Sequence, residues 1–137
     1  DRLPFFLPAG LKMAGELGLS MREYFSQSKY IVEGQFRQLE KYDHDFVTGF
    51  FYAGAEAEAF GAEIEFIEDG PPNVGKMIIK ESKEINDLSV PDIKKTPVLM
   101  KSLEATKEIK QRVKDDYPIL GVIISPFSLP CLKNLWR

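Results

Sequence analysis

The amino-acid sequence predicts a mixed α/β fold, in which two buried parallel strands are separated by a long excursion and a helix. Two runs carry this prediction: residues 46–52 (FVTGFFY) and residues 119–124 (ILGVII) are apolar and rich in residues that favour strands. Strands of a parallel sheet, which are covered on both faces, have this pattern. Residues 96–113, which lie between the runs, have the N-terminal signals and the apolar period of a helix.

Two short helices are predicted near the N-terminus. The first covers residues 11–17 and ends at Gly18, since glycine readily adopts the left-handed conformation of a helix end. The second begins at Met21, because Ser20 and Glu23 form a capping box in which each side chain bonds the other residue's backbone N–H.

A longer helix is predicted over residues 29–42, with Ser26 or Ser28 as its cap. Its apolar residues share one face: Val32, Phe36 and Leu39. The acidic and histidine-containing run at residues 43–45 follows. His44 could serve as a base or a metal ligand, but zinc needs three or four ligands and the chain has a single histidine. We therefore interpret the run as a polar turn before the first strand.

The middle of the chain predicts a short helix and a strand. Residues 54–60 are rich in alanine and favour a helix that ends at Gly61. Residues 63–66 alternate between charged and apolar side chains, as a half-exposed strand does. Residues 69–73 (DGPPN) predict a turn.

Residues 70–76 match the beginning of a phosphate-binding P-loop, but the match has no physical support. Such a loop directs backbone N–H groups at phosphate, and Pro71 and Pro72 have none. Met77 stands where a hydroxyl would hold magnesium. We interpret the segment as a structural turn.

The clearest helix signal begins at Thr96, which we expect to be the cap, with Pro97 at the first helical position. Pro118 prevents the helix from continuing. The predicted buried face consists of Leu99, Leu103, Thr106, Ile109 and Val113.

Composition excludes several classes of function. The 137 residues carry a net charge of −3, so the chain has no basic surface for nucleic acid. No apolar run approaches the roughly 20 residues of a membrane span. The single cysteine, Cys131, cannot form an internal disulfide, and with Lys133 as the only basic residue immediately around it we expect an unreactive thiol. We expect a cytoplasmic protein that binds neither nucleic acid nor membrane.

Residues 52–75 (YAGAEAEAFGAEIEFIEDGPPNVG) resemble the region after the first barrel strand in the uroporphyrinogen decarboxylase superfamily. The resemblance extends more loosely over residues 2–130. It implies the N-terminal part of a (β/α)8 TIM-type barrel, with a helical cap at residues 1–44 and the first strands and helices at 45–130. Residues 131–137 depart from the family. Because a complete barrel needs about 250 residues, we expect the chain to be a piece of a longer protein.

Two departures from the decarboxylase pattern argue against porphyrin decarboxylation. Arg2-Leu3-Pro4 is similar to the family's opening, but no arginine occurs between Leu3 and Met21, where the family has arginines that grip carboxylates. Aligning Phe60-Gly61 with the family's Leu-Gly pair places Tyr52 where the decarboxylases have a catalytic aspartate. A phenol with an ordinary pKa of about 10 cannot replace that anion.

Residues 56–61 (EAEAFG) instead resemble the methyltransferase branch of the superfamily. That resemblance implies a full-length parent in which zinc activates a thiol that attacks a corrinoid-bound methyl group, with a small molecule or a corrinoid protein as substrate. The zinc ligands would lie outside this chain, which we expect to contain no catalytic residue and to be inactive alone. Two alternatives stay open: a divergent uroporphyrinogen decarboxylase, and a barrel that binds a small ligand without catalysis.

The resemblance nominates residues for the wall of a substrate pocket. Tyr52 occupies a catalytic position of the family, while Phe51 could line the same cavity or pack in the core. Glu56 is the carboxylate nearest to the end of the first strand, and it could face the cavity or belong to a solvated helix face. Ser125 and Phe127 follow the second strand, in a turn that the family keeps near its ligand.

Open strand edges predict self-association. Two barrel strands without their outer neighbours leave unpaired backbone groups, which can pair with another copy of the chain.

Overall fold

The computed structural model describes residues 2–7, 10–68, 70–76, 78–79 and 81–125. Its architecture is mixed α/β, as the sequence predicts, and its elements follow in this order: α1 (Gly10–Glu16), α2 (Met21–Tyr24), α3 (Ser28–Tyr42), α4 (Ala55–Ala59), β1 (Ile64–Glu65), β2 (Asn73–Val74), two 3₁₀ turns (Ser82–Asp87 and Ile93–Lys95) and α5 (Pro97–Val113). In the part of the chain that the structure describes, no helix has both the length and the apolar character needed to cross a membrane.

Local capping signals place the first two helices as predicted. Gly18 has a φ of +70° after the end of α1. The capping box at α2 is complete, since the Glu23 amide donates to Ser20 Oγ at 3.3 Å and the Ser20 amide donates to Glu23 Oε2 at 2.9 Å. The prediction that a helix begins at Met21 is confirmed.

The predicted cap of α3 is wrong. Gln27 is the N-cap residue and makes no side-chain capping bond, so neither Ser26 nor Ser28 has that role. Ser28 is the first helical residue, and its Oγ donates to Glu104 Oε2 at 2.8 Å. A long-range contact with α5 therefore replaces the local bond that the sequence suggests.

Helix α5 begins at Pro97, as predicted, but its buried face is only partly the predicted one. Leu103 is 53% exposed, which contradicts its place in the apolar stripe. The face that α5 buries consists of Val98, Ala105, Ile109 and Val113. The small side chain of Ala105 lets the helix approach its neighbours closely, which a hydrophobicity pattern alone does not reveal.

The two apolar runs are neighbours in space and parallel. We call them the Val47 segment (residues 46–52) and the Ile119 segment (residues 119–124). Val47 and Ile119 form a parallel bridge, in which the Val47 amide donates to Pro118 O at 3.1 Å and the Leu120 amide donates to Val47 O at 2.8 Å. The predicted parallel pairing is present over this one bridge.

The Ile119 segment is not the buried strand that the sequence predicts. Its side chains at Leu120 and Val122 are partly exposed, and Ile123 is 85% exposed. The outward-facing amides of Gly121 and Ile123 make no hydrogen bond within the described residues. The physical reason is that no described strand covers the outer edge of this segment, although its composition is that of a strand with neighbours on both sides.

Gly49 lets the Val47 segment and α5 approach closely. Ser102 Oγ, on α5, donates to Gly49 O at 3.1 Å. A Cβ atom at position 49 would lie 2.9 Å from the Thr106 amide nitrogen and 3.0 Å from its Cα. Glycine is therefore required where this helix covers the segment.

The middle of the chain folds into a small hairpin. Helix α4 is shorter than predicted, and Gly61 follows it with a φ of +97°. β1 and β2 pair antiparallel, with Ile64 opposite Val74 and Glu65 opposite Asn73. Asn73 thus belongs to a strand and not to the predicted turn, while Asp69 lies outside the described residues.

Candidate functional site

A cavity of about 350 Å³ lies beside the carboxyl end of the Val47 segment. Its walls come from the N-terminal segment, helices α1 to α3, the Val47 segment, the loop before β2 and the Ile119 segment. Most of the lining is aromatic or aliphatic, and among the described residues those that line it carry no formal charge. An uncharged, mainly apolar pocket of this size is suited to a small organic molecule.

Tyr52 lines this cavity and is 5% exposed. Its ring makes edge contacts with Phe25 at 5.3 Å and with Phe66 at 6.0 Å between ring centroids. Its hydroxyl donates to the carboxylate of Glu58. Burial, and secondarily this bond to an anion, raise the pKa of Tyr52 above its ordinary value, so the phenol stays neutral at physiological pH.

Phe51 also lines the cavity, and it belongs to the hydrophobic core as well. It is buried and lies against Phe25 at 6.4 Å between ring centroids. The alternatives of pocket wall and core packing are therefore not exclusive, since the core forms one wall of the pocket.

Glu56 lies on α4 and is not among the residues that line the cavity. It is half-buried and connects α4 to the Ile119 segment, because its Oε1 accepts from the Ile124 amide at 3.4 Å. Its Oε2 is buried without a hydrogen-bond partner among the described residues. Ser125 is exposed, and Phe127, like Cys131 and the divergent tail, lies outside the described residues.

Two glutamines on α3 belong to the site, and sequence reasoning missed both. Gln35 and Gln38 are buried and line the cavity. Gln35 Oε1 accepts from the Thr48 amide at 2.9 Å, and Gln38 Nε2 donates to Leu7 O. The available signal was a pair of amides three positions apart on the apolar face of a helix, a place where polar side chains need a reason.

The N-terminal segment is held in place by Asp45. Arg2 donates to both carboxylate oxygens of Asp45, at 2.6 and 2.9 Å, and the Phe5 amide donates to Oδ2 at 2.5 Å. The bond from Phe5, followed by the Arg2 interactions, keeps the pKa of Asp45 below its ordinary value. Arg2 is therefore engaged within the protein, and Phe6 beyond it reaches the cavity wall.

Residues 43–45 connect α3 to the Val47 segment, as predicted, but His44 within this connection is buried. It is 1% exposed and lies edge-on to Phe6, at 5.8 Å between ring centroids. Neither ring nitrogen has a hydrogen-bond partner among the described residues. Burial lowers the pKa of His44, while the Phe46 backbone and the charge of Asp45 oppose the shift. The histidine is a neutral core residue that packs against the N-terminal segment.

The described residues do not fit a zinc site. They contain no group of three or more His, Cys, Asp or Glu side chains that could hold a metal ion. Asp45 acts on His44 electrostatically, but its carboxylate is bound by Arg2 and by the Phe5 amide and belongs to no such group of ligands.

The described residues form an α/β protein with an uncharged, mainly apolar cavity beside two parallel segments. The family model described as uroporphyrinogen decarboxylase matches residues 1–132, so the chain belongs to the uroporphyrinogen decarboxylase family. No curated protein matches the chain significantly.

Proposed function

We propose that this chain forms the N-terminal part of a (β/α)8 barrel that transfers a methyl group from a corrinoid to a thiol. The observation that carries the proposal is the uncharged wall of the cavity at the end of the Val47 segment. A porphyrinogen presents many carboxylates, and their natural partners are arginine side chains. The cavity offers no such partner among the described residues, which favours another substrate.

The state of Tyr52 supports the same conclusion. Porphyrin decarboxylation would need an anion at this position, and the hydroxyl is a neutral donor to Glu58. Three arginines of the first 37 residues make contacts elsewhere: Arg2 pairs with Asp45, Arg22 lies 4.6 Å from the ring centre of Phe66, and Arg37 donates to Glu16 O at 3.1 Å. The resemblance of residues 56–61 to the methyltransferase branch supports the proposal from the sequence side.

In this proposal the chain contributes pocket walls and no reacting group. Tyr52 and Phe51 exclude water from one side of the pocket, and Glu56 fixes the distance between α4 and the Ile119 segment. Since the described residues do not fit zinc, the metal and its ligands would come from elsewhere in the protein. The cytoplasmic location stays a prediction.

The test uses the gene product that carries the complete barrel. It is incubated with methylcobalamin, a simple thiol and zinc, and loss of the cobalt–carbon bond is followed by absorbance and the thioether by mass spectrometry. We expect methyl transfer from the complete protein and none from residues 1–137 alone. Release of carbon dioxide from uroporphyrinogen would establish the decarboxylase alternative, and ligand binding without either reaction would establish the binding barrel.

We also propose that the isolated chain self-associates through the outer edge of the Ile119 segment. Its amides at Gly121 and Ile123 are unpaired within the described residues, and its side chains are apolar and exposed, which is the condition for edge-to-edge pairing. Sedimentation velocity is expected to show species larger than the monomer, whose fraction falls on dilution.

A charged side chain on that edge should weaken the association. Ile123→Lys is expected to shift the chain towards monomer, because lysine on a strand edge opposes pairing. Leu103→Lys is the matched control, since Leu103 is an exposed apolar residue on α5 and not on the edge. Equal effects of the two substitutions, or a wild-type chain that is monomeric at every concentration, would contradict the proposal.

A further inference from the structure

We infer that the cavity binds a neutral, ring-sized molecule that carries one hydrogen-bond donor, and that Gln38 Oε1 accepts that hydrogen bond. The inference rests on the proposed function for the identity of the cavity as a substrate pocket, and it adds the chemical class of the molecule. It assigns the recognition to a residue on α3 and not to the strand ends.

The hydrogen bonding of the Gln38 side chain is incomplete among the described residues. The side chain is 1% exposed, and its Nε2 is committed to the carbonyl oxygen of Leu7. That bond fixes which end of the amide is the acceptor, because a carbonyl needs a donor opposite it. Oε1 has no partner among the described residues. A buried acceptor is normally paired, so an unpaired one beside a cavity indicates a missing donor.

The charge of the cavity wall indicates the charge of the molecule that it binds. No charged side chain of the described residues lines the cavity, and the Tyr52 hydroxyl is used by Glu58. An ion buried here would lose its water without gaining a counter-ion, which is strongly unfavourable. The molecule is therefore neutral.

The wall and the volume of the cavity indicate the shape of the molecule that it binds. Aromatic side chains form much of the wall, with Phe25, Phe50 and Phe51 from two different elements. Aromatic rings pack best edge-on or offset against other rings. The volume of about 350 Å³ exceeds the roughly 150 Å³ that accommodates benzene in an engineered apolar cavity. One ring with a polar substituent fits this space.

The test measures binding to the chain of residues 1–137 by NMR titration, with phenol, toluene and benzoate as probes and no corrinoid, thiol or zinc present. We expect saturable shifts of the Thr48 and Ala53 amides. Phenol should bind about fivefold more tightly than toluene, since a hydrogen bond to an unpaired acceptor is worth about that factor. Benzoate should bind at least about tenfold more weakly than phenol.

Substitutions test whether Gln38 is the residue that accepts the hydrogen bond from the probe. Gln38→Met keeps the length of the side chain and removes the acceptor, so phenol and toluene should then bind equally. Gln111→Met, on the exposed part of α5, is the matched control and should preserve the fivefold difference. Ala53→Leu fills the cavity without touching Gln38 and should abolish binding of both probes, which keeps the test valid if Gln38→Met does not fold.

Equal affinity of the wild-type chain for phenol and toluene would overturn the inference, because the acceptor would then be served by water. Binding that survives Ala53→Leu would also overturn it, since the probe would sit elsewhere. Both outcomes are independent of methyl transfer. Failure of the cavity inference and failure of the proposed function are therefore distinguishable.

Discussion

Replacing Gly49 with alanine is expected to lower the free energy of unfolding by about 3 kcal/mol. The added methyl group would meet the amide nitrogen and Cα of Thr106 at 2.9 and 3.0 Å, and these are backbone atoms that cannot rotate away. Helix α5 would have to move outward from the Val47 segment. That movement would break the bond from Ser102 to the Gly49 carbonyl and expose Ala105 and Ile109, which are fully buried.

Gly15→Ala is the matched control for this substitution. Gly15 is exposed on α1, and a Cβ atom there has no neighbour within 4 Å. Alanine is the better helix former, so this variant should be more stable than the wild type by roughly 0.5–1 kcal/mol. Urea denaturation followed by circular dichroism measures both. A Gly49→Ala midpoint equal to that of the wild type would show that α5 does not pack on the segment as described.

The stability of the chain is expected to fall steeply with pH below about 6.5, because of His44. Burial lowers the pKa of His44 in the folded state, so below the unfolded-state value the unfolded chain binds a proton that the folded chain does not. Stability then decreases as the pH falls, by up to about 1.4 kcal/mol per pH unit, until the folded-state pKa is reached.

We attribute the dependence of stability on pH below about 6.5 to a single residue. His44 is the only histidine of the chain. Asp45 does not contribute in this pH range. Because its pKa is lowered, the stability that it contributes is present above the ordinary aspartate value of about 3.8 and is lost only below that value. His44→Leu should therefore remove the pH dependence that begins below about 6.5. A histidine variant with the same slope as the wild type would show that His44 is not buried in the neutral form.

The sequence predicted those parts of the fold that are encoded locally. The capping box at Ser20 and the proline at the first position of α5 use contacts within one helical turn, and both are confirmed. The cap of α3 was wrong because Ser28 finds a partner on α5, far along the chain. The burial of His44 within the predicted turn was missed, because nothing adjacent in sequence reveals that Phe6 packs against it.

The candidate site also contains residues that could be predicted from the sequence and residues that could not. Tyr52 and Phe51 were nominated by their position in a family resemblance, and both line the cavity, although their role with a substrate stays a prediction. Gln38 could not be nominated, because its meaning depends on the Leu7 carbonyl, which lies 31 positions earlier. The sequence does show polar side chains on the apolar face of a predicted helix, but this pattern does not identify the groups to which they bond.

The two outer edges of the parallel pair differ, and the difference limits how copies of the chain can assemble. On the Val47 segment, the Thr48 amide donates to Gln35 Oε1 and the Phe50 amide donates to Thr48 Oγ1 at 3.1 Å, so side chains already occupy these donors. Among the described residues, no side chain occupies the amides of Gly121 and Ile123 on the Ile119 segment. Pairing through this edge of the parallel pair allows a two-fold symmetric dimer in which each copy offers the same surface. In such a dimer both copies of this edge are buried, so a third molecule cannot add through it. Assembly through this edge therefore stops at the dimer and does not form fibres.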